Sequence, residues 1–388
     1  MTNNLIKEIE SLALFYNVKQ DPIIKSLIDA LKVRQDNQSN LEFESLFYHR
    51  LLESGYVDDW SGYIYNLVRY DENIWSKSIA QNNALSTWVI ERAQQELKTL
   101  HNLANQTSET LFKNSCYVWG SKNQKSFDYD VLACDIQKNG FGIFARYDAF
   151  LFQNKEIIPI PDPPQIKMQS LIGYRSQKQE IINNTQAFVQ GKPANNVLLA
   201  GDRGSGKSST IGAVFNMFKG QIKMIEVPLT NIQNITYLID KLKNLPQRFI
   251  IFLDDLVVDK NNAQTFYPLK AALEGSFLNA KNNTLIYATS NRRHLVKQSF
   301  KDREDEVNLN ESLEDTFALS DRFGLRILFH NLNKDEYLDF VSQIAKRHNL
   351  PVDDKLLKDA EIWAIAKGTR SPRTAVQFVN SIIGISTQ

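Results

Sequence analysis

The run Gly201-Asp202-Arg203-Gly204-Ser205-Gly206-Lys207-Ser208 fits the pattern GxxxxGK[ST] at every position. At average residue usage such a string arises by chance in on the order of one per cent of chains this long, and its setting weighs further against coincidence. The apolar stretch Val197 to Ala200 leads into it, and Ile211, Val214, Phe215 and Phe218 follow at the i, i+3, i+4, i+7 spacing of an amphipathic helix. In a strand–loop–helix of this kind, glycines let the backbone curl so that successive N–H groups point at phosphate, beside the positive end of a helix. Lys207 then reaches the β- and γ-phosphates, the Ser208 hydroxyl coordinates Mg²⁺, and Ser209 extends the phosphate-facing run. The bland alternative, a glycine-rich loop with no ligand, does not explain the complete pattern.

Outward from this loop, short apolar strands alternate with helices. Ile222 to Val227, Phe249 to Leu253, Leu285 to Thr289 and Arg326 to Phe329 join Val197 to Ala200 as strands. They are near-continuous apolar runs, as strands buried on both faces of a parallel sheet should be. The string Phe249-Ile250-Ile251-Phe252-Leu253-Asp254-Asp255 ends such a strand in two carboxylates about fifty residues after the loop. That places them at the carboxyl edge of the sheet, where a magnesium ion would sit. Asp254 reads as the metal-side carboxylate, and Asp255 is placed to orient or activate water. The last sixty or so residues are helical in pattern.

The first 112 residues show helical periodicity: Leu5, Ile9, Leu12 and Phe15 recur at three- and four-residue spacing, and Leu85 to Leu103 is free of Gly and Pro. Tyr56, Trp60, Tyr63, Tyr65, Tyr70 and Trp75 crowd one segment. Because Asp58, Asp59, Asp71 and Glu72 interleave them, a packed core is the first reading, and a surface that stacks bases or grips a partner is the second. Phe127 to Gln137 and Phe141 to Phe152 read as strands around Asn139-Gly140, a strong hairpin signal. Pro159, Pro161, Pro163 and Pro164 then mark a boundary, since proline at that density propagates neither helix nor central strand.

The 388 residues allow two or three domains, and the formal net charge of +1 supplies no overall field toward nucleic acid or an anionic membrane. No apolar run approaches the roughly 20 residues that span a bilayer, and Lys7, Glu8 and Glu10 make the N-terminus an amphipathic helix, not a signal peptide. Cys116 and Cys134 lack metal-ligand spacing and read as free thiols of a cytoplasmic protein. Arg292, Arg293 and His294 form a basic turn that is either a solvated loop or a contact for phosphate, nucleic acid or a neighbour. Residues 299–315, rich in both charge signs, read as an exposed insert.

From about Gly173 onward the sequence resembles AAA+ ATPases, and among them one mostly bacterial family of predicted ATP-binding proteins. The strings that carry the resemblance are Ile172-Gly173-Tyr174, Pro193 to Leu199, Phe252 to Leu256, Leu269 to Gly275, Tyr287 to His294 and Leu319 to Leu325. It implies that Ile172, Gly173 and Tyr174 lie against adenine. Asn291 takes the sensor-1 position, which helps place water near the γ-phosphate, with Thr289 the weaker substitute. Arg322 matches an arginine finger that reaches a neighbouring subunit's γ-phosphate, the alternative being a salt bridge to Asp321 or a nearby carboxylate. Arg373 matches the sensor-2 arginine of a lid, with Arg370 a close rival. One departure matters: most active relatives end the second motif in Asp-Glu, and this chain has Asp-Asp. The shorter Asp255 implies modest turnover.

The expected fold is α/β, an AAA+ P-loop core with a parallel sheet of order 5-1-4-3-2. It is arranged as an N-terminal helical domain over 1–112, a hairpin and linker over 113–165, the core over 166–330 and a helical lid over 331–388. The expected activity is ATP binding with Mg²⁺-dependent hydrolysis in a homo-oligomer whose assembly nucleotide promotes. It drives conformational change, first of all to remodel a protein client. A nucleic-acid-associated loader or switch, and a nucleotide-gated scaffold with little hydrolysis, are the alternatives; near-neutral charge disfavours the nucleic-acid reading.

Overall fold

The computed structural model describes residues 2–35, 41–112, 117–121, 125–257, 263–275, 283–291 and 321–386. Cys116, the basic turn Arg292-Arg293-His294 and the charged insert 299–315 lie outside the described residues. The chain divides into two compact units, Met1–Arg146 with Leu245–Gln247, and Tyr147–Asn244 with Arg248–Gln388.

The second unit is built on a seven-stranded sheet: β1 Ala149–Gln153, β2 Glu156–Ile160, β3 Val197–Gly201, β4 Lys223–Glu226, β5 Phe249–Leu253, β6 Thr284–Ser290 and β7 Leu325–Phe329. Its order is β2-β1-β4-β5-β6-β3-β7. Numbered among themselves, β3 to β7 are all parallel and fall in the order 5-1-4-3-2. Every residue of β3, β5 and β6 is buried, which is why these strands are apolar without alternation. The register sets Ala200 beside Ser290 and Leu253 beside Ala288, so the loops leaving β3, β5 and β6 emerge together at one edge.

Two strands were not anticipated in this sheet. The expected hairpin around Asn139-Gly140 does not form: Tyr129–Asn139 is a helix, and Gly140, at φ 73°, ends it. Asp128 caps that helix by accepting from the N–H groups of Asp130 and Val131 at 3.0 Å each. Leu132 and Ile136 are its buried face. Asn-Gly suits a helix C-terminus and a hairpin for the same reason, tolerance of positive φ, so the dipeptide alone does not choose between them. The hairpin lies further on, where Gln153 pairs with Glu156 around Asn154 and Lys155, at φ 52° and 64°. Two consecutive positive φ values are the signature of a type I′ turn. β1 also pairs in parallel with β4, extending the sheet at that edge. Pro159 lies in the edge strand β2, where its missing N–H costs no ladder bond toward solvent.

Helices Lys334–Arg347, Asp354–Ala366 and Pro372–Ser386 close the second unit. Asn333 starts the first with a capping box, exchanging hydrogen bonds with Glu336 at 2.9 Å in both directions. Tyr337, Phe340, Val341, Ile344 and Ala345 form its buried face.

Among its described residues the first unit has helices and connecting turns but no strand. Trp60, Trp75, Phe15 and Phe47 are fully buried at its centre. The Trp60 indole donates to Leu103 O at 2.9 Å, and the buried Glu96 carboxylate accepts from the N–H groups of Ala13, Leu14 and Phe15. Of the aromatic segment singled out above, the tryptophans are therefore core.

Candidate functional site

The loop from Gly201 to Ser208 leaves β3 and enters the helix Lys207–Met217. Gly201 has φ 146°, and a Cβ there would stand 2.0 Å from the carbonyl oxygen of Phe329 on β7, so no other residue fits. Gly206 also has positive φ, 91°, but a Cβ there would meet nothing within 4 Å. Its cradle is open, as a loop that admits phosphate requires. Lys207, only 4% exposed, donates to Gly201 O at 2.9 Å, Asp202 O at 2.8 Å, Ser205 Oγ at 3.3 Å and Asn291 Oδ1 at 3.1 Å. Burial pushes its ammonium below the ordinary lysine range, against the charges of Asp202, Asp255 and Asp254 that act the other way.

The strand ends complete the arrangement. Ser208 Oγ donates to Asp254 Oδ1 at 2.7 Å, and Thr289 Oγ1 donates to the same oxygen at 2.5 Å. Thr289 also accepts from the Asp255 N–H at 2.9 Å. Asp255 sits at φ 56°, in the left-handed region, a conformation that persists only where its surroundings hold it. The Asn291 side-chain amide donates to the Asp255 carboxylate. A single network thus joins Lys207, Asn291, Asp255, Thr289, Asp254 and Ser208. These residues, with Arg203, Ser209 and Arg373, border a cavity of about 350 Å³.

A second cavity of about 470 Å³ shares Gly204, Gly206, Ser209 and Arg373 with the first. Ile172 and Tyr174 wall it, together with Phe340 and Ile344 of the helix Lys334–Arg347. Gly173 does not line it; its φ of 70° turns the chain, and Tyr174 follows at 52°. The Tyr174 hydroxyl donates to His330 O at 2.6 Å and its ring lies 4.9 Å from that of Phe329. Burial raises its pKa. Two cations that the sequence did not single out pin the segment before Ile172. Lys178 donates to Leu171 O at 2.6 Å, and Arg347 donates to Ser170 O at 2.6 Å and Gln169 O at 3.0 Å. Burial, with Arg347 and Arg175 adding repulsion, pushes Lys178 down to about 8.

The two candidate lid arginines part company. The Arg373 N–H donates to Gly204 O at 3.2 Å, and its side chain borders both cavities. Arg370 turns to Glu361, whose carboxylate accepts from its Nε at 3.2 Å and also from Nη2. That hydrogen bond lowers the pKa of Glu361 and raises that of Arg370. Arg322 borders neither cavity; its Nε donates to Glu274 Oε1 at 2.6 Å, and Nη2 contacts the same oxygen. Glu274 is the nearby carboxylate that the salt-bridge alternative called for.

With this geometry in place, comparison with known proteins gives one family. Its model, described as "Protein of unknown function (DUF815)", matches residues 145–386, more than half of the chain. The chain belongs to that family. No curated protein matches it. Among solved structures, a variant of Thermotoga maritima RuvB matches at 15% identity with a TM-score of 0.39, covering 58% of this chain and 66% of the other. The chain therefore spans just under two thirds of that structure's length. The Aeropyrum pernix Orc1 protein in complex with DNA matches at 14% identity and 0.41, over 58% and 62%. The FIGL-1 AAA domain in complex with ADP matches at 13% and 0.37, over 51% and 67%. The family member described here has five parallel strands in the order 5-1-4-3-2 that was expected of the core, extended at one edge by β1 and β2.

Proposed function

We propose that the second unit binds Mg-ATP and hydrolyses it, and that the resulting change in lid and subunit angles remodels a protein client engaged by the N-terminal unit. The observation that supports this most is the hydrogen-bond network from Lys207 through Asn291 to Asp255, closed on the other side by Ser208, Thr289 and Asp254. Loop, strand end and polar strand residue meet around one cavity with an open glycine cradle.

The donors fit Mg²⁺. Ser208 Oγ and Asp254 Oδ1 are hard oxygen ligands side by side at an accessible edge, and among the described residues no group of three carboxylate, histidine or cysteine side chains converges on a metal. A site of one hydroxyl and one carboxylate, completed by water and phosphate oxygens, suits Mg²⁺ better than a closed protein cage would. When bound, the ion neutralises charge on the β- and γ-phosphates. Lys207 binds the same phosphates and Asp255, held by Asn291, orients the attacking water. Ile172 and Tyr174 wall the base, and Arg373 reaches the phosphates from the lid. Arg322 serves as the finger to a neighbouring copy in a homo-oligomer.

Phosphate release in the presence of Mg²⁺, repeated with EDTA, tests the activity, and affinity capture with Asp255→Asn in ATP tests the client. Saturable ATP binding with metal-dependent release is the expected result. A chain that neither binds nor cleaves ATP defeats the reading, and a DNA affinity falling steeply with salt would replace the protein client with nucleic acid.

A further inference from the structure

The N-terminal unit contains a cavity of about 440 Å³ that the ATPase reading does not use. Its size lies in the range of ligand pockets. Three members of the aromatic segment, Tyr56, Tyr63 and Tyr70, line it together with Asp21, Asp71 and Glu72. Arg146 is the one arginine or lysine on its wall. Tyrosine faces and carboxylates both attract cations, the first through the ring quadrupole and the second through charge.

The carboxylates differ in what they have left to offer. Asp71 is 5% exposed and has both oxygens engaged, accepting from Asn17 Nδ2 at 2.8 Å and Asn73 Nδ2 at 2.7 Å. It is part of the cavity's fixed frame. Asp21 Oδ1 accepts from the Tyr63 hydroxyl at 2.7 Å and from the N–H groups of Ile23 and Ile24. Its Oδ2 accepts no hydrogen bond among the described residues. The exposed Glu72 carboxylate makes no hydrogen bond or ion pair among them. Gly142 makes room for Glu72: a Cβ there, at a φ of 60°, would stand 2.2 Å from Glu72 Oε1. On the aromatic side, Tyr56 and Tyr63 stand 5.5 Å apart at an interplanar angle of 57°. The chain's own guanidinium groups already use this chemistry, with Arg69 5.7 Å and Arg146 6.0 Å from the centre of the Tyr70 ring. The acidic side chains do not converge as metal ligands among the described residues. They are spread across the cavity, which suits a planar organic cation.

We infer that this cavity binds the guanidinium of an arginine side chain presented by a peptide. Asp21 Oδ2 and Glu72 receive its N–H groups, and it rests against one side of the contacting Tyr56–Tyr63 ring pair, Trp60 being stacked on Tyr63. The inference goes beyond the ATPase reading and stands independently of it.

Calorimetric titration of the full chain tests it. The probes are acetyl-glycyl-arginyl-glycinamide, its citrulline counterpart, which keeps the shape without the charge, and agmatine. Saturable binding of the arginyl peptide is expected, at least about tenfold tighter than the citrulline peptide and tighter than agmatine. Glu72→Gln and Tyr56→Leu should each weaken it about tenfold, the scale of one charge-assisted hydrogen bond or cation–π contact. Glu72→Gln alters an exposed side chain, so its folding and its ATP turnover should be unchanged. Equal affinity for citrulline, an unaffected Glu72→Gln protein, or no saturation would overturn the assignment. Tighter binding of agmatine would show that the cavity takes a small free cation and not a peptide.

Discussion

The side-chain amide of Asn291 donates to the carboxylate of Asp255. Because Asn291 also accepts from Lys207 at 3.1 Å, the carboxylate proposed to orient water is tied to the lysine proposed to hold phosphate. Asp255→Asn should therefore keep ATP affinity within about threefold and lose turnover by about 10²-fold or more, the usual contribution of a positioned base. Nucleotide titration alongside phosphate release separates the two effects. Wild-type turnover in Asp255→Asn would remove Asp255 from the chemistry. Glu274, the next glutamate in sequence, is engaged with Arg322.

Lys207 is buried and makes four hydrogen bonds around the Gly201–Ser208 loop proposed to hold phosphate. Lys207→Ala should abolish measurable ATP binding while the far-UV circular dichroism stays unchanged, since the loop's glycines and the sheet fix the backbone. Unaltered ATP affinity would mean that the loop is not a phosphate site.

Arg373 borders both cavities, whereas Arg370 is paired with Glu361. Arg373→Ala should weaken ATP binding or slow turnover by about tenfold, on the scale of one charged hydrogen bond. Arg370→Ala should leave both nearly unchanged and slightly lower the melting temperature. A reversed pattern would make Arg370 the lid arginine.

The sequence was most legible where its signal is contiguous. The glycine-rich loop Gly201 to Ser208, the apolar strands and the carboxylates after β5 are contiguous runs, whereas the strand order was implied only by the resemblance to AAA+ ATPases. The same contiguity misled at Asn139-Gly140, because a helix end and a hairpin turn need the same positive φ. Their choice is made by Asp128 and by the Leu132 and Ile136 face. Arg370 and Arg373 were inseparable in the sequence, three residues apart at one helix start. What divides them is Glu361 and Gly204, which only the fold brings near. The hold of Arg347 on the segment before Ile172 left no local signal, since Arg347 lies 177 positions from Ser170.

Lys178 gives the fold a pH signature. Its pKa is pushed down to about 8 by burial, from an ordinary value of 10.5. Between those values the unfolded chain binds more protons than the folded one, so stability rises with pH through that window. Below it the lysine is charged in both states and contributes no slope. Relative to Lys178→Met, the wild type should gain on the order of 2 kcal/mol between about pH 8 and pH 10.5. Urea unfolding of both proteins across that range measures it, and parallel curves would show that Lys178 is not the group responsible.

Arg322 poses the sharpest question about assembly, because within one chain it is held by Glu274. A finger acts on a neighbour's ATP by placing positive charge where the γ-phosphate's charge shifts in the transition state. In related phosphoryl transfers the effect is about 10³-fold or more in rate. Arg322→Ala should therefore leave ATP affinity per subunit nearly unchanged and strongly reduce turnover, and the specific activity of wild type should rise with protein concentration. Mixing Arg322→Ala with Lys207→Ala subunits should restore part of the activity, since one supplies an intact loop and the other an intact finger. Glu274→Gln separates two roles for the pair. If Glu274 aims the guanidinium toward a neighbour, turnover falls while ATP affinity holds; if the pair merely fastens the segment, the melting temperature falls and turnover per folded subunit stays. Full activity in a strictly monomeric protein, with no complementation on mixing, would make the Arg322–Glu274 contact a surface ion pair and nothing more.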